Sequence, residues 1–137
     1  MSKESESIID IPNLAVTTVE GILWVDGWMT RELRVICKAV HHVSGLEFAL
    51  WNPDSSVKYA GNNITLICNK KKWVAGSLAM GERVDLYAKI DLSEGDIVDI
   101  SIVSDNFMDS DAMDSRKRGI VIVSMLAHLA SSNERQE

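Results

Sequence analysis

Five short runs in this chain place an apolar residue at every second position, and that period limits the fold more than any other feature. Leu33, Val35 and Cys37 form one run, Leu46, Phe48 and Leu50 the next, and Ile64, Leu66 and Cys68 the third. Val84, Leu86, Ala88 and Ile90 make a fourth, and Val98, Ile100 and Ile102 a fifth. A period of two sends alternate side chains to opposite faces of a pleated strand, so each run has a core face and a wet face. Several such runs with turn residues between them predict an antiparallel sandwich or barrel.

Turn chemistry sets the boundaries. Asp26-Gly27, residues 41–45, Asn52-Pro53-Asp54, Gly61-Asn62, Gly81-Glu82 and Glu94-Gly95-Asp96 each interrupt the alternation with residues that favour tight turns. Strands are therefore predicted over 15–19, 31–40, 46–51, 63–69, 73–78, 84–92, 97–104 and 119–129. The fold class is all-β, an antiparallel, jelly-roll-like β-sandwich of roughly eight strands. The last segment is apolar on both phases, which a helix would also allow. Its Ile-Val-Ile-Val run favours strand, and the double apolarity predicts a central strand covered on both sides. Residues 1–13 read as a flexible lead, 14–130 as the sandwich domain and 131–137 as a frayed tail.

With 137 residues the chain is one domain, large enough to bury a core without staples. Its 14 Lys and Arg against 20 Asp and Glu leave a formal charge of −6, which does not attract phosphate backbones and argues against nucleic acid as a partner. Lys70, Lys71 and Lys72 read as a solvated hairpin loop. The first 13 residues lack an apolar signal core, and the apolar stretch 120–130 falls short of a bilayer span. The expected compartment is the cytoplasm, with no membrane span. Cys37 and Cys68 fall on the apolar phase of their strands and are expected to be buried free thiols.

Catalytic and metal chemistry find little support. His41 and His42 are adjacent, so on an extended chain they point to opposite faces and do not converge on one ion; they read as turn residues. Asp105, Asp109, Asp111 and Asp114 crowd one segment as calcium ligands do, but without the EF-hand glycine and closing glutamate. A solvated acidic loop is the preferred reading. No metal or cofactor is expected. Four tryptophans are present, and an exposed indole can stack on the apolar face of a sugar ring. Trp28, beside the Asp26-Gly27 turn and close to Arg31, is the leading candidate, with Trp51 beside the Asn52-Pro53 turn as a second. The plainer alternative is that these rings fill the core.

With the strands placed, a family pattern emerges. Asp26-Gly27-Trp28 precedes a charged pair and an alternating strand, followed by a Leu-x-x-x-Leu-Trp-Asn-Pro block over 46–53 and an Asn-x-Ile-Thr-Leu strand. A Gly-Asp strand over 95–104, an Asp-x-Phe segment and Asp114-Ser115-Arg116 complete it, with Met108 and Asp109 where the family usually has a proline. This resembles small β-sandwich modules attached to bacterial glycosyltransferases and methyltransferases of surface-polysaccharide synthesis. The resemblance implies a non-catalytic, carbohydrate-binding-like domain whose partner is a glycan or a glycosyltransferase. Asp114 and Arg116, two apart on an extended segment, are expected to fix the loop before the last strand through a charge-assisted bond. Taken together, the expected function is an accessory module that binds a glycan or docks such an enzyme, through Trp28, Asp26, Arg31 and Trp51. A protein-interaction or self-assembly domain is the alternative, and a cupin-type enzyme the more remote one.

Overall fold

The computed structural model describes residues 9–24, 26–52, 61–79, 81–104 and 119–130. The acidic segment 105–114, with Asp114 and Arg116, lies outside the described residues, as does the tail 131–137. Eight strands are described: β1 (Leu14–Glu20), β2 (Glu32–Ala39), β3 (Val43–Trp51), β4 (Gly61–Cys68), β5 (Lys71–Ala79), β6 (Arg83–Leu92), β7 (Ile97–Ser104) and β8 (Val121–Leu129). They form two antiparallel sheets, one ordered β1-β2-β7-β4-β5 and the other β6-β3-β8. The order 2-7-4-5 in one sheet against 6-3-8 in the other is jelly-roll wiring. β1 departs from it by extending the larger sheet.

The inner faces carry the predicted alternation. Leu33, Val35 and Cys37 of β2, Ile64, Leu66 and Cys68 of β4, and Val98, Ile100 and Ile102 of β7 meet Leu46, Phe48 and Leu50 of β3 in one buried cluster. Sheet edges are set by local chemistry. Asn69 and Lys70 both take positive φ, 50° and 71°, between the Cys68–Lys71 pair. That is the twist a two-residue hairpin needs, and asparagine tolerates it. The first two residues of the lysine run thus differ in role, Lys70 turning the chain and Lys71 opening β5.

Cys37 pairs with Val98 and Cys68 with Ile100, on opposite sides of β7. Two strand spacings, roughly 10 Å, separate their backbones, beyond the reach of a disulfide. Both thiols are buried and free, and burial pushes each up to about 11.

Three sequence expectations need revision. The segment read as a turn over 41–45 is shorter, because β3 already starts at Val43. A register shift between Val43 and Gly45 accommodates the extra residue. The lead expected to run to Asn13 joins the sandwich earlier: Ile11 is 2% exposed, and the Asn13 amide donates to the Ala127 carbonyl at 3.2 Å. β8, finally, is a strand as predicted but not a covered central one. It lies at one side of the three-stranded sheet, with Val123, Leu126 and Leu129 exposed.

Candidate functional site

The chain between β1 and β2 folds back on itself and docks against β8. Thr30 N–H donates to the Ile22 carbonyl and Trp24 N–H to the Trp28 carbonyl, while Gly27 N–H closes the turn onto the Trp24 carbonyl at 2.9 Å. The Asp26 carboxylate accepts from Trp28 N–H at 3.3 Å, the local bond that makes aspartate a turn residue. Gly27 is required here. Its φ is +97°, and a Cβ would sit 3.0 Å from Val121 Cγ1 and 3.1 Å from the Ile122 carbonyl, so backbone approaches β8 where a side chain would block it.

Main-chain bonds then splice this hairpin onto the free side of β8. Met29 N–H donates to the Ile120 carbonyl, Gly119 N–H to the Met29 carbonyl and Ile122 N–H to the Gly27 carbonyl. Trp28 is left directly opposite Val121. Val121 is opposite Trp51 on β3, and Trp51 is opposite Arg83 on β6. Residues directly opposite in a sheet share a face. Trp28, Val121, Trp51 and Arg83 therefore form one row across the outer face of the three-stranded sheet, with the two tryptophan backbones about 10 Å apart.

Trp51 keeps 40% of its surface exposed, whereas Trp28 is half-buried. The strand end that carries Trp51 is held by its neighbour: Asn52 is buried, its amide donating to the Leu78 carbonyl at 3.0 Å and its backbone N–H to the Glu82 carbonyl. An indole on such an anchored strand end gives up little conformational freedom when a ring stacks on it.

Of the four residues picked from the sequence, Trp28 and Trp51 are brought to one face and Asp26 shapes the turn that presents Trp28. Arg31 goes elsewhere. Its Nε donates to the Ser104 carbonyl at 3.2 Å, and its own carbonyl accepts from Ser104 N–H, which ties the hairpin to the end of β7.

Further along the same face stand residues that the sequence reading passed over. Tyr87 of β6, 53% exposed, lies across β3 at Gly45, where a Cβ would land on its ring and hydroxyl. The His128 ring packs beside it, centroids 5.8 Å apart and planes at 55°, and His128 Nε2 sits 2.8 Å from the Glu47 carboxylate. The signal was present: Tyr87 is an aromatic on the wet phase of an otherwise ordinary alternating strand. His42 reaches the Asp91 carboxylate at 2.6 Å. Among the described residues, no group of three His, Cys, Asp or Glu side chains is placed to hold a metal ion, and no helix is long and apolar enough to cross a membrane.

No protein-family model matches the chain, and no curated protein matches it. Similar solved structures include a family 35 carbohydrate-binding module from an environmental isolate, 11% identical over 93% of this chain and 90% of its own, with a TM-score of 0.37. Xyl-CBM35 in complex with a glucuronic acid-containing disaccharide is 12% identical over 93% of this chain and 91% of its own, also at 0.37. CBM35 from Cellvibrio japonicus Abf62 is 12% identical over 93% and 90%, again at 0.37.

Proposed function

We propose that this chain is a non-catalytic module that binds a glycan on the outer face of its three-stranded sheet. The observation that carries the reading is the row Trp28, Val121, Trp51, in which two indoles flank a small apolar residue on a rigid strand framework. Sugar rings expose apolar C–H faces that stack on aromatic rings, and rigid aromatics hold them at low entropic cost. The proposal extends to an accessory role beside a bacterial glycosyltransferase of surface-polysaccharide synthesis, for which the sequence resemblance is the support. It also extends to the cytoplasm, a reducing compartment that suits two buried free thiols.

Titration with a panel of soluble gluco-, manno- and xylo-oligosaccharides, followed by tryptophan fluorescence and calorimetry, tests the reading. Trp51→Ala should weaken binding by about fivefold or more and leave the melting temperature nearly unchanged. Trp28→Ala should weaken binding and also lower the melting temperature, because that ring is half-buried in the docked hairpin. Unaltered affinity in both variants would remove the row from the binding site.

A second reading has its own observation. Val123, Leu126 and Leu129 are exposed apolar side chains on β8, and apolar side chains left open along one strand also suit a protein partner or a second copy of the chain. Concentration-dependent association abolished by Leu126→Lys, with no glycan bound, would favour it.

A further inference from the structure

The outer face of the three-stranded sheet holds a second aromatic platform, remote from the tryptophan row, and its construction specifies the length and charge of what lies on it. Tyr87 is laid flat by the missing side chain of Gly45 and steadied at its edge by His128. A ring pressed against backbone on one side presents its other face to solvent. Gly45 and Trp51 share this face of β3, since both belong to its outer phase. Six residue steps along the strand separate them, about 20 Å at the usual rise and roughly four linked pyranose rings. Between them on that phase stand only Glu47 and Ala49.

Charges of both signs are mixed on this face: the carboxylates of Glu47, Asp85 and Asp91 stand with Arg83 and with Lys89, which lies opposite Gly45. His128 Nε2 sits 2.8 Å from Glu47, Arg83 Nε 3.1 Å from Asp85 and His42 Nε2 2.6 Å from Asp91. Each pair sets an acceptor beside a nitrogen, an arrangement that neighbouring hydroxyls can bridge, and the near balance of carboxylates and cations offers no strong patch of one sign to draw an ion out of water. We infer that the ligand of this face is an uncharged oligosaccharide chain, long enough to stack on Trp51 at one end and on Tyr87 at the other. The inference rests on the glycan-binding reading above and goes beyond it in naming an extended, neutral ligand and a second subsite.

Isothermal titration with β-1,4-linked gluco-, manno- and xylo-oligosaccharides, from disaccharide to hexasaccharide, tests it, with melts of each variant as the folding control. Affinity in the series that binds should rise with length by about tenfold between the shortest and longest members. Tyr87→Ala should weaken the hexasaccharide about fivefold and leave the disaccharide unchanged, while Tyr87→Phe, which keeps the ring, should bind as the wild type does. Affinity independent of length, or an equal loss for every length in Tyr87→Ala, overturns the extended subsite and leaves the glycan reading standing. Tighter binding of a uronic acid-containing chain than of its neutral counterpart overturns the charge assignment. If no oligosaccharide binds at any length, both the inference and the glycan reading fail.

Discussion

On the outer face of the five-stranded sheet, Arg34 of β2 meets Asp99 of β7 through two parallel bonds, Nε to Oδ1 at 3.0 Å and Nη2 to Oδ2 at 2.7 Å, and reaches Glu20 of β1 at 3.5 Å. The guanidinium holds the Asp99 carboxyl below its ordinary range, and the Asn69 amide oxygen accepts from Asp99 N–H. Across the sandwich, the corresponding phase of the three-stranded sheet carries Trp51, Tyr87 and Leu126, all exposed. Both sheets bury one phase in a common core, yet the larger turns a bidentate charge pair to water at its middle, whereas the smaller sets exposed rings among its charge pairs. Period two dictates which side chains point outward. What those side chains are is far less constrained by folding.

The sharpest way to break this contrast is through the core that both faces share. Phe48 is buried at the centre of β3, and Phe48→Ala should cost about 3–5 kcal/mol of stability, measured by denaturant titration, whichever face is functional. A loss as small as that of a surface change would mean the two sheets are not packed on one core. Next in size is Gly27→Ala, which places a Cβ at positive φ and against Val121. A cost of about 1–3 kcal/mol is expected, together with altered tryptophan emission, since the hairpin that presents Trp28 must lift from β8. Glycan affinity should fall with it.

The smallest effect belongs to the ionic face. Asp99→Asn should lower the melting temperature by no more than about 2 °C at neutral pH, because exposed pairs contribute little. The folded-state carboxyl is depressed, so its contribution is present above the unfolded value of about 3.9 and is lost as pH falls through the lower folded value. The gap between variant and wild type should thus close below about pH 4 and shrink in high salt. A gap that widens on acidification would show that Asp99 is not held by Arg34. Binding should be untouched, and a loss of glycan affinity here would move the ligand to the other sheet.

Much of the fold was legible because it depends on local chemistry. The alternations at Leu46, Phe48 and Leu50 and at Val98, Ile100 and Ile102 mark core phases of β3 and β7 directly. Sheet membership was not legible, since which strands are neighbours is decided by long-range pairing that no short window contains. The same limit hid the site. Trp28 and Trp51 were visible as candidates, but their alignment depends on Val121, a residue far away in the chain that pairs with both. The apolar double phase of β8 was read as burial on two sides. It arises instead because the register of β8 on β3 shifts twice, once at Val123 and once just before Leu129, so that the exposed apolar residues 123, 126 and 129 fall out of strict alternation.

The two thiols on either side of β7 have a consequence for how this molecule can be followed over time. Both residues are buried, Cys37 0% and Cys68 2% exposed, burial pushes each thiol up to about 11, and a thiol reagent must reach the sulfur and attack its thiolate. Modification must therefore wait for the larger sheet to part, and its pace is set by how often that happens rather than by sulfur chemistry. Because Cys37 and Cys68 are partnered through the same central strand, they act as paired clocks for a single event. Equal labelling times would mark cooperative opening of the sheet, and unequal ones would reveal which flank of β7 yields first.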